Sequence, residues 1–401
     1  MPDRTALGHV VVVGASLAGL RAAETLRSGG HEGDITIIGE ERHQPYDRPP
    51  LSKQILTGRI EPDGIALPVQ DDLGATFLLG TAATGLDLDR RRVLLSDGSD
   101  VGYDGLVIAT GAAPRRLPGA PAGPGVHYLR TLDDADSLRR DLQSPEPVVV
   151  IGAGFIGLEV ACSAAALGRT VTVLEALPVP LERALGPEMG RALMGWHRAK
   201  GLDLRAGTAV DAILGDGRPQ AVRLDDGTEV PAGVVVVGIG VSPATAWLEG
   251  SGVDVADGVL CDERLRVRCG GRPRPEVVAA GDVARWTHPG YGRDVRVEHW
   301  TNATEAGEAA ARTLLLGDDA DPYAPVPYFW SDQHGMKLQF VGQTVDGDDT
   351  ALIEGGWDDD RFLVAYGRQG RLVAGLGLRR PARVMTLQRL IGEGATFPPQ
   401  F

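Results

Sequence analysis

Twice along its 401 residues the chain drives a run of β-branched apolar residues into a six-residue glycine turn that opens a helix. The first run is Val10-Val11-Val12-Val13, followed by Gly14-Ala15-Ser16-Leu17-Ala18-Gly19. The second is Val148-Val149-Val150-Ile151, followed by Gly152-Ala153-Gly154-Phe155-Ile156-Gly157. Each helix leads to another apolar strand ending in an acid, residues 35–38 before Gly39-Glu40 and residues 170–174 before Glu175. Continuous valine runs of this length read as parallel strands buried on both faces. The first glycine of each turn permits a tight bend, and a small residue at the third position lets backbone approach a ligand. The last glycine lets helix pack against strand. The open N–H groups and positive dipole end of the helix favour phosphates, and the following acid can accept hydrogen bonds from ribose hydroxyls. Ser16 departs from glycine at the third position of the first copy and is small enough to fit. The pattern predicts two dinucleotide sites in an α/β chain.

Composition narrows the class further. At 43% apolar and 23% charged the chain is an ordinary globular protein with room for two or three domains. A net charge of −14 argues against nucleic acid as a partner. No apolar run reaches the length of a membrane span, and the first residues carry no signal segment. The three cysteines, Cys162, Cys261 and Cys269, form no CxxC pair and no metal-binding spacing. They read as small thiols in a reducing cytoplasm, and no metal ligands are expected.

Between and after the repeats the punctuation is clear. The prolines of residues 43–53 forbid regular strand or helix until about Leu51. Asp97-Gly98 marks a hairpin, and Leu106-Val107-Ile108-Ala109-Thr110-Gly111 a buried strand stopped by glycine. Residues 114–125 read as a Pro- and Gly-rich linker. After the second repeat come a hairpin over residues 221–231, a buried strand closing on Gly238-Ile239-Gly240, and Val277-Val278-Ala279-Ala280-Gly281-Asp282. A helix runs from about residue 298 to 317. From Pro325 onward five short alternating segments and one helix, about 381–392, predict a small α+β domain.

On these motifs, together with Pro45-Tyr46-Asp47-Arg48-Pro49-Pro50-Leu51-Ser52-Lys53, Glu298-His299-Trp300 and Pro327-Tyr328-Phe329-Trp330-Ser331-Asp332-Gln333, the chain resembles the FAD-containing NAD(P)H:ferredoxin reductases. These flavoproteins of the glutathione-reductase-like group serve ring-hydroxylating dioxygenases and cytochromes P450. The resemblance spans essentially the whole chain, and RPPLSK and YFWSDQ are its most specific blocks. It implies two Rossmann-like domains plus a C-terminal α+β domain. The FAD domain is discontinuous, 1–113 and 243–325, with an NAD domain inserted at 114–242 and the last domain at 326–401.

Residue by residue, the resemblance implies that FAD is held by Gly14, Ala15, Ser16, Ala18, Gly19, Glu40, Arg48, Pro49, Lys53, Thr110, Gly111, Gly281 and Asp282. NAD(H) falls to Gly152, Gly154, Phe155, Ile156, Gly157, Glu175 and Gly240. Glu298, His299 and Trp300 lie beside nicotinamide and flavin, and Trp330 lines the flavin. Lys53 would stabilise charge on the flavin while paired with Glu159. Glu175, with no cation following until Arg183, favours NADH over NADPH. The partner implied is an iron–sulfur ferredoxin, with Lys337, Arg379, Arg380 and Arg383 as candidate docking cations. Disulfide reductase activity is disfavoured by the missing CxxC. A rubredoxin reductase, another NADH:acceptor reductase and an NADH-sensing flavoprotein acting through binding remain alternatives. A membrane-attached quinone reductase would need an anchor that the C-terminus does not show.

Overall fold

A computed structural model describes residues 7–121, 123–357 and 359–400. Residues 1–6, where no signal segment is expected, position 122 of the Pro- and Gly-rich run, and residue 401 lie outside the described residues. The chain condenses into two compact units, one formed by 1–47, 65–113 and 242–325, the other by 48–64, 114–241 and 326–401.

The first unit is built on a nine-stranded sheet. The five strands on one side of it are parallel, in the order Arg272–Ala279, Gly105–Ile108, His9–Val13, Asp34–Gly39, Thr76–Leu79, the last being the sheet edge. His9–Val13 sits at the centre of these five, and Val10, Val11 and Val12 have no exposed surface. Because successive strands leave it in opposite directions, its C-terminal end is the switch point where such sheets bind ligands. Helix Leu17–Ser28 follows at once and packs on helix Trp300–Leu316. The helices approach so closely that a Cβ at Gly307 would lie 2.4 Å from the Ala18 carbonyl oxygen. The hairpin at Asp97-Gly98 forms between Arg92–Leu95 and Asp100–Gly102.

The second unit holds a five-stranded parallel sheet, in the order Asp203–Ala206, Val171–Glu175, Val148–Ile151, Val234–Val237, Val126–His127. The hairpin Ala221–Leu224 with Glu229–Pro231 joins a separate three-stranded sheet. The C-terminal part is a five-stranded antiparallel sheet ordered Tyr328–Gln333, Met336–Gly342, Arg371–Leu378, Phe362–Arg368, Asp349–Glu354, with helix Pro381–Gly392 against it. One expectation needs correcting. Helical structure begins before Leu51, because Pro49–Ser52 forms a 3-10 turn. Prolines at its first two positions lose no hydrogen bond there, and their fixed φ already suits the turn. Among the described residues no helix is long and apolar enough to cross a membrane.

Candidate functional site

Each unit carries one glycine cradle, and the glycines are explained by what a side chain would hit. In the first unit Gly14 has φ +126°, and a Cβ there would lie 2.1 Å from the Ala109 carbonyl oxygen. A Cβ at Gly19 would lie 1.9 Å from the Gly14 carbonyl oxygen. These contacts bring the Ala109-Thr110-Gly111 strand end against the turn. Thr110 is fixed there by its hydroxyl, which donates to the Ala244 carbonyl at 2.8 Å. Gly39 abuts Ala15, so Glu40 stands exposed at the end of the neighbouring strand. Gly281, at φ +72°, packs against Ala18 and Ala303 and starts the short 3-10 turn that carries Asp282. Ser16 takes the extended N-cap position of helix Leu17–Ser28. Gly14, Ala15, Ala18 and Gly281 therefore gather at one helix N-terminus, with Gly111 and Asp282 next in the chain to Thr110 and Gly281.

Glu298, His299 and Trp300 enter helix Trp300–Leu316, with His299 as its N-cap. The Trp300 indole N–H donates to Asp47 Oδ1 at 2.8 Å, and Glu298 pairs with Arg296. Burial pushes the His299 pKa down to about 4 against the pull of Asp282. In the same unit His288 is buried. Its Nε2 lies 2.9 Å from the Pro325 carbonyl, and its Nδ1 accepts from Gly290 and Tyr291 N–H at 3.1 and 3.3 Å. Only the neutral ring satisfies that set, and burial lowers its pKa as well. Both folded values lie below the unfolded one, about 6.5. As pH falls below that value the unfolded chain takes up protons that the folded chain refuses, so stability present above it is lost. The unfolding free energy should drop between pH 7 and about 5.5, by up to about 1.4 kcal/mol per pH unit for each histidine, and the urea midpoint with it. A midpoint constant across that window would contradict the assignment.

The second cradle repeats the first in its own unit. Gly152 has φ +102°, and its Cβ would lie 2.3 Å from the Gly238 carbonyl oxygen, while a Cβ at Gly157 would lie 2.2 Å from the Gly152 carbonyl oxygen. Gly154 is the N-cap of helix Phe155–Ala166, and a Cβ there would sit in ordinary contact, 4.0 Å, with the Gly238 carbonyl oxygen. Glu175 ends its strand beside the turn. Its Oε2 accepts from Ala153 N–H at 2.8 Å and its Oε1 from Leu177 N–H at 2.9 Å. One lone pair on each oxygen remains for ribose hydroxyls. Ile156 is exposed, and Phe155 meets Phe329 edge to face with centroids 4.7 Å apart. The Gly240 carbonyl accepts from Arg115 N–H at 2.9 Å. Both turns bring backbone to a helix N-terminus, as a dinucleotide pyrophosphate needs, with the small Ser16 standing in the first where the second has Gly154.

The same helix carries Glu159, whose burial is offset by hydrogen bonds at every lone pair. Oε2 accepts from Lys53 Nζ and from the Ser52 hydroxyl, each at 2.6 Å. Oε1 accepts from the Ser331 hydroxyl at 2.6 Å and Asp332 N–H at 3.2 Å. Four donors fill the carboxylate's four acceptor positions. Glu159 and Lys53 side chains are 7% and 13% exposed, so the ion pair is far less screened than a surface pair. Arg48 donates to the Arg130 carbonyl at 2.5 Å, and Pro49 opens the 3-10 turn that sets Lys53. Trp330 lies on the opposite strand face from Ser331, with Lys337 Nζ 5.4 Å from its ring centroid. Of the docking cations, Arg380 and Arg383 share Glu354 at 3.1 and 2.8 Å, and Lys337 lies 3.9 Å from Asp332.

The sequence reading missed what extends this network. Gln333 Nε2 donates to the Ser331 hydroxyl at 3.0 Å, and Gln333 Oε1 lies 3.0 Å from His197 Nε2. His197 Nδ1 is 3.0 Å from His334 Nε2. The available signal was the alternation of Phe329, Ser331 and Gln333, which puts all three on one strand face.

Residues 8–307 match the family model described as "Pyridine nucleotide-disulphide oxidoreductase", and residues 328–401 match "Reductase C-terminal". The chain is 38% identical to rhodocoxin reductase of Rhodococcus erythropolis, over 98% of this chain and 91% of that one. It is 35% identical to putidaredoxin reductase of Pseudomonas putida, over 98% and 93%. Among solved structures it superimposes on the covalent putidaredoxin reductase–putidaredoxin complex with a TM-score of 0.91 at 34% identity, covering 96% of this chain and 93% of that one.

Proposed function

Because the chain belongs to the pyridine nucleotide-disulphide oxidoreductase family, we propose that it is an NADH-dependent, FAD-containing reductase of an iron–sulfur ferredoxin that feeds a P450 or a ring-hydroxylating oxygenase. The observation that carries this reading is the pair of glycine cradles, whose Gly14 and Gly152 are closed to a Cβ by backbone and the second of which is met by the strand-end acid Glu175. Relatives matching along nearly the whole chain bear the names of reductases for small redox proteins. The free cysteines Cys162, Cys261 and Cys269 offer no paired thiols for the alternative, disulfide exchange. They also suit a reducing cytoplasm.

In this reading the Gly14–Gly19 turn, Glu40, Thr110, Gly111 and Asp282 hold FAD, and the Gly152–Gly157 turn, Glu175 and Gly240 hold NADH. Bound there, FAD supplies an acceptor for hydride and a donor of single electrons. The protein contributes position and field. Helix N-termini bind the pyrophosphates, and the acids orient the riboses. Lys53, with Arg48, Pro49 and Trp330, keeps the flavin-side role that the resemblance gives it. Glu159 fixes the Lys53 ammonium in place, so that its charge needs no reorganisation when negative charge develops. Glu298, His299 and Trp300 retain a place beside the reacting rings.

Glu175 sets the nucleotide preference, since its carboxylate repels a 2′-phosphate. Glu175→Gln keeps one acceptor for the loop N–H groups and loses the charge. The kcat/KM ratio of NADH over NADPH should fall by about tenfold or more, the equivalent of about 1.4 kcal/mol. An unchanged ratio would remove Glu175 as the selector. The function itself is tested by anaerobic titration with NADH, followed by cytochrome c reduction with and without a [2Fe–2S] ferredoxin. Flavin that is reduced by NADH, yet passes no electrons to any such ferredoxin, would overturn the proposal.

A further inference from the structure

Three side chains that the proposed electron path does not use meet inside the second unit. Cys162 lies on helix Phe155–Ala166, His197 on helix Glu182–Ala199, and His334 in the turn between strands Tyr328–Gln333 and Met336–Gly342. One ligand atom from each, the Cys162 thiol sulfur and a ring nitrogen of each histidine, lies within 4.8 Å of the others. A tetrahedral zinc ion with bonds of 2.0–2.3 Å needs its ligand atoms about 3.3–3.6 Å apart. The His197 Nδ1 to His334 Nε2 distance of 3.0 Å is already close to that.

The surroundings are those of a prepared site. His197 has no exposed surface, and its outer nitrogen faces Gln333 Oε1 at 3.0 Å. A carbonyl acceptor there fixes the proton on Nε2 and turns the Nδ1 lone pair inward, the arrangement of a metal-bound imidazole held by an outer partner. Gln333 is itself held by Ser331. Trp196 covers both rings edge-on, with centroids 5.0 Å from His197 and 5.1 Å from His334. His334 has φ +50°, a left-handed conformation that a non-glycine residue adopts rarely.

The geometry points to a three-ligand Cys162–His197–His334 site for a zinc-class divalent cation, with water completing the tetrahedron. Binding exchanges the thiol proton for the metal, so one S–H bond breaks, one S–metal bond forms and one proton leaves to solvent. His334 keeps its proton by moving it to Nδ1. No oxidant or reductant is involved. In the absence of metal, burial holds the Cys162 pKa up at about 12, so the group remains a thiol.

The test uses the untagged holoprotein. Zn²⁺ affinity is measured by competition with a chromophoric chelator, and Co²⁺ is added as a spectroscopic probe. One Zn²⁺ should bind per chain, with apparent affinity rising about tenfold per pH unit as one proton is released. Co²⁺ should show thiolate charge transfer and strong tetrahedral d–d bands. Cys162→Ser and His334→Asn, the latter chosen because asparagine tolerates the left-handed turn, should each weaken binding at least tenfold while flavin content stays unchanged. Absence of stoichiometric binding, or binding that both variants leave unaltered, would overturn the assignment.

Discussion

Glu159→Ala should destabilise the second unit by roughly 3 kcal/mol and slow flavin reduction by NADH about a hundredfold. The stability loss follows from what remains. Lys53, Ser52, Ser331 and the Asp332 N–H all donate to this one carboxylate, and its removal strands them in a site where Ser331 is 1% and Ser52 5% exposed. The rate loss has a separate origin, the mobility of an ammonium no longer held in place. The double variant Lys53→Met/Glu159→Leu separates the two effects. Replacing a buried ion pair with apolar groups of similar size often restores stability, so the urea midpoint should recover in part. The stopped-flow rate of reduction by NADH should not recover. A double variant with the wild-type rate would remove Lys53 from the chemistry.

The two cradles can be told apart by one methyl group each. Gly14→Ala should yield protein purified without flavin, because the new Cβ meets the Ala109 carbonyl at 2.1 Å and the strand end must move. Gly152→Ala meets the Gly238 carbonyl at 2.3 Å, and should leave the flavin spectrum intact. Its KM for NADH should rise about tenfold to a hundredfold, the equivalent of 1.4–2.8 kcal/mol of backbone strain and displacement. The opposite pattern, flavin lost from Gly152→Ala and retained by Gly14→Ala, would exchange the two assignments.

Legibility in the sequence followed chain separation. The cradles were readable because each is closed by residues a few positions apart and by the ends of adjacent strands, which a valine run and a glycine announce together. Glu175 was readable as an acid at a strand end, although its second task, holding the Ala153 N–H, was not. The Lys53–Glu159 pair came from resemblance alone, since no periodicity links residues 106 positions apart. Strand alternation puts Ser331 and Gln333 on one face, but no local pattern pairs Ser331 with Glu159, 172 positions away, or Gln333 with His197, 136 away. Their partnership exists only once the antiparallel sheet has formed. Pro49 was misjudged for a different reason, because proline breaks helices in their interior and starts them well.

The strand order of the first unit also bears on how the protein is made. Gly105–Ile108 pairs with Arg272–Ala279, a strand that leaves the ribosome more than a hundred residues later. Until then the edge of Gly105–Ile108 is open, and an unpaired apolar edge is a template for association with other chains. The parallel sheet of the second unit lies wholly between Val126 and Val237, so its pairings can close while that edge still waits. If the middle sheet forms first, it shortens the effective path between the two late partners. A nascent chain stalled before Arg272 keeps this edge exposed, which makes that interval the vulnerable stage of biogenesis.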